Sequence, residues 1–264
     1  MTKYLLLATF VATLTSHSAL AAEGDMSFVL LPIHTTAFGA NGSLWDTDFV
    51  LMNTGPATAK FFPYPESFPS PNLPPRPLAK GYGLRLRPLG GLLHGRLFWI
   101  ETAYVDQFVF SLRVRDLSRQ SSSAGVEVPV VPEQDFREGV ITLIDVPTDA
   151  RFRHSLRVYH ATTQPDQKVR VRVFPLRLDW FQPEPVNPIR EFDLTLQPGA
   201  DAEFPLRPEP SMQVVNNLFD VYPEARAFPR VRIEITPLSE GMKIWGFVAT
   251  VNNETHEMTV SSPQ

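Results

Sequence analysis

Val169, Arg170, Val171, Arg172 and Val173 alternate apolar and polar side chains without a break. That is the period of a strand with one face buried and the other in water. Short runs of the same kind, alternating or continuously apolar, recur along the chain at 27–33, 48–53, 83–88, 96–103, 107–115 and 126–131. They continue at 139–146, 155–161, 168–174, 191–196, 230–236 and 243–251. Turn formers separate them, and proline alone accounts for 26 of 264 residues, about twice the usual share. Proline lacks the amide donor a helix needs, so helix is nearly excluded as the main element. One stretch leans helical, 216–226 (NNLFDVYPEAR), where Asn216 or Asn217 is placed to cap a short connecting turn. The expectation is an all-β fold of antiparallel strands in sandwiches.

The chain also repeats itself. Residues 42–55 (GSLWDTDFVLMNTG) lie over 150–163 (ARFRHSLRVYHATT), 84–91 (LRLRPLGG) over 194–201 (LTLQPGAD), and 102–114 over 236–248. Collinear blocks whose separation only grows are what a duplicated unit with one insertion produces. The growth places the insertion around 203–229, which holds the helical turn. Two tandem modules follow, 22–135 and 136–264, after an N-terminal segment 1–21. Within them, the proline-rich stretch 61–78 (FFPYPESFPSPNLPPRPL) has a counterpart over 174–194. Each is therefore an intradomain connection and not a hinge.

The first 21 residues place Lys3 ahead of an apolar run from Tyr4 to Leu14 and end in Ala19, Leu20 and Ala21. That order reads as a secretory signal peptide, and the run is too short to cross a bilayer. The expected address is periplasmic, cell-surface or extracellular. Of 24 basic residues only Lys3 leaves with the peptide, so 23 face 28 acids, which offers nucleic acid or anionic lipid no overall attraction. Cysteine is absent; disulfide and thiolate chemistry are excluded, and packing must hold the fold.

Few residues are arranged for chemistry. The histidines His34, His94, His154, His160 and His256 show no zinc-ligand spacing, although His154 and His160 share strand parity. Asp46 and Asp48 project to one side of a strand and offer oxygen ligands, yet no calcium loop continues from them. There is no Gly-x-Ser-x-Gly, and Glu101 and Glu234 occupy matched strands as structural acids would. No metal, cofactor or catalytic residue is expected, and the chain is read as no enzyme. Arginines at 151, 153 and 157 and at 170, 172 and 177 set cations on shared strand faces, a stripe suited to carboxylates or to a solvated, ion-paired surface.

The proline stretches carry rings: Tyr64 and Phe68 in one, Trp180 and Phe181 in the other. Proline keeps such loops stiff, so these four side chains are the candidate contact surface for a protein or glycan. With GSLWDTDFVLMNTG at the opening of a unit, Leu-x-Leu-x-Pro inside it and WGFVATVNNETHEMTV at the close, the chain resembles tandem immunoglobulin-like β-sandwich modules of exported bacterial proteins. The resemblance implies a binding, adhesion or structural role. Two alternatives are a periplasmic chaperone for surface subunits, though without that group's basic charge, and a glycan-active enzyme or its accessory domain.

Overall fold

The structure is a computed structural model that describes residues 25–62, 75–86, 95–119, 124–161, 166–176, 187–198 and 210–263. The expected export segment 1–21 lies outside them. The first half supplies β1 (Met26–Leu31), β2 (Thr36–Phe38), β3 (Leu44–Asn53), β4 (Ala59–Phe62), β5 (Arg76–Leu78), β6 (Gly83–Leu86), β7 (Arg96–Glu101), β8 (Phe108–Asp116), β9 (Val126–Glu127) and β10 (Val131–Pro132). The second supplies β11 (Ile141–Pro147), β12 (Phe152–His160), β13 (Gln167–Pro175), β14 (Arg190–Pro198), β15 (Ser211–Asn216), the single helical turn α1 (Leu218–Val221), β16 (Arg230–Pro237), β17 (Ile244–Asn252) and β18 (Met258–Ser261). Every pairing between them is antiparallel. The protein is all-β, as the alternation implies, in sheets that face one another across apolar cores.

One sheet runs β10-β1-β7-β4-β5, and a second runs β2-β3-β8-β9 with β6 beside β3. The third runs β11-β16-β13-β14-β15-β12-β17-β18. Placed end to end, β1-β7-β4-β5 and β6-β3-β8-β9 follow the same order as that third sheet. The chain leaves the first sheet between β5 and β6, whereas β14 and β15 stay paired at Gln197↔Met212 and Pro198↔Ser211. In the shared strand order β6 corresponds to β15 and β5 to β14, so the sequence match of 84–91 with 194–201 sets β6 against a strand that is not its equivalent. The region 203–229 is therefore not all insertion: it holds β15 together with α1 and a 3-10 turn over Pro223–Ala227.

The third sheet curls until Arg137 and Ile244 exchange backbone hydrogen bonds of 2.9 Å, nearly closing a barrel. Val169, Val171 and Val173 point into it with Leu156, Val158, Ile233 and Phe219. β17 is buried on both faces: Ile244 and Val248 join that interior, while Trp245, Phe247 and Ala249 join the core between the first two sheets. A strand covered on both sides reads as a continuous apolar run, which 243–251 is. Tyr159, fully buried on the same outer barrel face, stacks on Phe247 and donates a 2.6 Å hydrogen bond to Pro32 O. Gly95 lets that ring in, since a Cβ there would stand 2.6 Å from Tyr159 Cε1.

Several local readings change. The run at 126–131 is two strands in different sheets, β9 on β8 and β10 on β1; Pro129 between them lacks the amide needed to continue a ladder. Asn217 occupies the N-cap of α1 in left-handed backbone (φ 53°, ψ 46°) and makes no side-chain cap bond. The ends of the stretch 61–78 are themselves strands, because Ala59 pairs with Leu78 and Phe61 with Arg76. Its counterpart likewise joins a hairpin, Val173 facing Arg190. Pro77 is tolerated because β5 is an edge.

Candidate functional site

Where the β2-β3-β8 sheet faces the outer side of β12, β15 and β17, the packing leaves a cleft of about 440 Å³, within the range of small-molecule sites. Strand parity builds its floor. Arg153, Ser155 and Arg157 alternate along β12 toward the first core, and Ser155 stands between Asn216 on β15 and Ala249 on β17. The opposite wall carries Ile33, Trp45 and Val114, with Val251 and Met258 closing one side. Phe38, on the edge strand β2, sits at the lip and is 84% exposed. The cleft thus has an apolar wall and a polar, cationic floor.

The wall is set by close packing at Gly39. A Cβ there would lie 2.5 Å from Ser43 Oγ and 2.6 Å from Trp45 Nε1, so only glycine leaves the indole its place. On the floor, Ser155 Oγ bonds Asn216 Oδ1 at 3.0 Å. Arg157 is nearly buried, beside the Tyr159 hydroxyl that it hydrogen-bonds. Arg153 uses Nη1 on Asn253 Oδ1 at 3.1 Å, whereas its Nη2 is buried without a hydrogen-bond partner among the described residues. Burial pushes the Arg153 guanidinium down from its ordinary value, with the Asp116 carboxylate opposing. A cation with a donor unspent in a partly dry site is primed for an anionic acceptor.

A buried pair fastens the cleft's end. Asp116, which closes β8, accepts from Leu44 N at 2.8 Å, Ser118 N at 3.0 Å and Ser118 Oγ at 2.6 Å through one oxygen. Its other oxygen takes His256 Nδ1 at 2.7 Å, and both side chains are fully buried. Burial alone would raise this carboxyl; the hydrogen bonds from Ser118, His256 and the Leu44 amide outweigh it and lower the pKa from 3.8 to about 2. His256 lies in the β17–β18 turn, at positive φ, so the dyad ties that turn to the opposite sheet. Arg119 adds a 3.1 Å bond to Glu254 O of the same turn. Ser118 sits on the aspartate side of the dyad, so the three do not form a nucleophile relay.

The other groups singled out in the sequence are engaged elsewhere. Asp48 is held by Arg85 at 2.5 and 2.7 Å, and Asp46 by Thr36 at 2.8 Å and Arg115 at 3.8 Å. Glu101 meets Lys60 at 3.4 Å and Glu234 meets Arg232 at 3.3 Å. Arg170 and Arg172 pair with Asp193 and Glu191 across β13 and β14, which makes that stripe an ion-paired surface. His154 and His160 do share the barrel-interior parity of Leu156 and Val158; His154 packs on Phe219 at 4.6 Å and His160 bonds Lys243 O. Burial lowers His34 and His154 to about 4, so both are neutral at pH 7. Tyr64, Phe68, Trp180 and Phe181 lie outside the described residues, as does His94.

No protein-family model, curated protein or solved structure matches the chain. The reading of the site therefore rests on its own geometry. Sequence parity placed Arg153 and Arg157 on one face, but it gave no sign that Trp45, Val114 and Phe38 stand across from them. Among the described residues no helix is long and apolar enough to cross a membrane.

Proposed function

We propose that the chain is an exported, non-catalytic binding protein made of two immunoglobulin-like β-sandwich modules, and that its ligand enters the cleft between β2-β3-β8 and β12-β15-β17. The carrying observation is the lining: two arginines, one with an unspent donor, face an apolar wall closed by an exposed phenylalanine. The repeated strand order supports the modular part of the reading. Its non-catalytic part is supported by carboxylates engaged with Lys or Arg and by histidines that are buried neutral or tied to Asp116. The loops bearing Tyr64, Phe68, Trp180 and Phe181 are a second contact surface in this reading, because each leaves a hairpin with fixed ends.

A dye tests the site. Anilinonaphthalene sulfonate, an apolar anion, is expected to bind once per chain with enhanced fluorescence. Ser155→Phe puts a ring between Asn216 and Ala249 and should abolish the signal while the melting temperature holds. Dye binding that survives the substitution would place the site elsewhere.

A further inference from the structure

Resting on that reading of the cleft, we infer that its ligand is a small monocarboxylate with an apolar, preferably aromatic, body. Although the protein as a whole is acidic, with a formal charge of -4, the described lining of the cleft carries Arg153 and Arg157 and no acid. The charge there is opposite to that of the rest of the molecule. Around Arg153 the polar groups are suited to oxygen. Its Nη2 has no acceptor among the described residues, and Ser155 donates to Asn216 Oδ1, which leaves the Asn216 amide donors for a ligand. Asn217 beside it is spared from capping α1. A planar carboxylate satisfies a guanidinium fork and an amide at once, which a hydroxyl or an amine does not.

The remainder of the cleft selects the body of the ligand. Ile33, Val114, Val251 and Met258 are apolar, Trp45 offers an indole held by Gly39, and Phe38 stands at the mouth. A flat ring packs against such a wall better than a polyol, whose hydroxyls would be stripped of water without partners. At about 440 Å³ the space fits one small molecule and not a folded partner. The geometry assigns the head of the ligand to Arg153 and its ring to Trp45.

The full-length mature protein can be titrated by calorimetry with phenylbutyrate and with its uncharged counterpart phenylbutanol. The acid is expected to bind at least about ten-fold more tightly, the usual scale for a hydrogen bond to a charged group. Arg153→Gln should remove that advantage and leave the alcohol's affinity unchanged. Arg153→Lys, which keeps the charge but loses the fork, should recover only part of it. Ser155→Phe should abolish binding of both. Acid and alcohol binding equally, or Arg153→Gln weakening both alike, would overturn the carboxylate assignment while leaving the cleft as a binding site. Failure of both compounds where anilinonaphthalene sulfonate still binds in a Ser155-dependent way has the same meaning. If neither the compounds nor the dye enters, the cleft reading falls as well. A peptide ending in a free C-terminal phenylalanine that binds more tightly than phenylbutyrate would move the ligand from small molecules to chain ends and overturn the class named here.

Discussion

Replacing Asp116 by asparagine should uncouple the β17–β18 turn from the first sheet, in a way that pH can read. The carboxylate is fully buried and serves four donors: the Leu44 and Ser118 amides, the Ser118 hydroxyl and His256 Nδ1. Removing one side of a buried pair strands the rest, at about 3–5 kcal/mol near neutral pH. A separate component comes from proton linkage. Asp116 is held at about 2 against an ordinary 3.8, a difference that corresponds to about 2 kcal/mol of stability. Because the folded-state value is depressed, this stabilisation is complete above the unfolded value and is lost as pH falls from about 4 to 2. Urea unfolding of the native and Asp116→Asn proteins at a series of pH values gives the gap between them. Other acids contribute to both proteins and cancel. The gap should be widest at neutral pH and shrink by most of that 2 kcal/mol between pH 4 and pH 2. A gap independent of pH would refute the account of the dyad.

Other expectations are simpler to check. His34 and His154 sit at about 4 in the folded protein against 6.5 when free, so the unfolded chain takes up protons that the native state refuses. Stability should fall as pH drops from 6.5 toward 4, by about 3 kcal/mol per histidine, and His154→Phe should flatten its share in denaturant titrations. Tyr159→Phe strands the buried Pro32 carbonyl and should cost about 1–3 kcal/mol. Gly95→Ala drives a methyl into the same ring and should cost about 1–3 kcal/mol by overpacking; thermal melts showing neither loss would contradict the seam built on Tyr159. Gly39→Ala should displace Trp45, weakening dye binding and shifting tryptophan emission while leaving the barrel's hydrogen-exchange protection intact.

Much of the fold is legible because strands with one wet face announce themselves. The alternation at 169–173 became β13 with its valines inward. The match of 42–55 with 150–163 lays β3 over β12 as the recurring strand order does, whereas that of 84–91 with 194–201 lays β6 over β14 in place of β15. β4 escaped notice because Phe61 and Phe62 open a proline stretch, and β5 because Pro77 stands in its middle; edge position, a tertiary fact, makes that strand possible. β15, the counterpart of β6, lies in the region 203–229 that the sequence match reads as inserted, because SMQVVN has too little alternation to stand out. The continuous run at 243–251 did carry the information that β17 is covered twice, but not by what. The cleft was half legible: residues 153, 155 and 157 share a face by arithmetic, whereas the wall comes from β2 and β3, about a hundred residues earlier, and from β8, about forty residues earlier. The Asp116–His256 dyad left no local signal, because its members meet only when the last hairpin docks.

The central claim is that the ligand site is the cleft between the sheets, and amide hydrogen exchange with and without saturating anilinonaphthalene sulfonate tests it directly. Added protection is expected in 33–40 and 249–258, with none in 168–174 or 191–196. Protection confined to the peptides spanning 61–80 and 174–190, with the cleft segments unchanged, would move the site to the proline-rich loops and contradict the account.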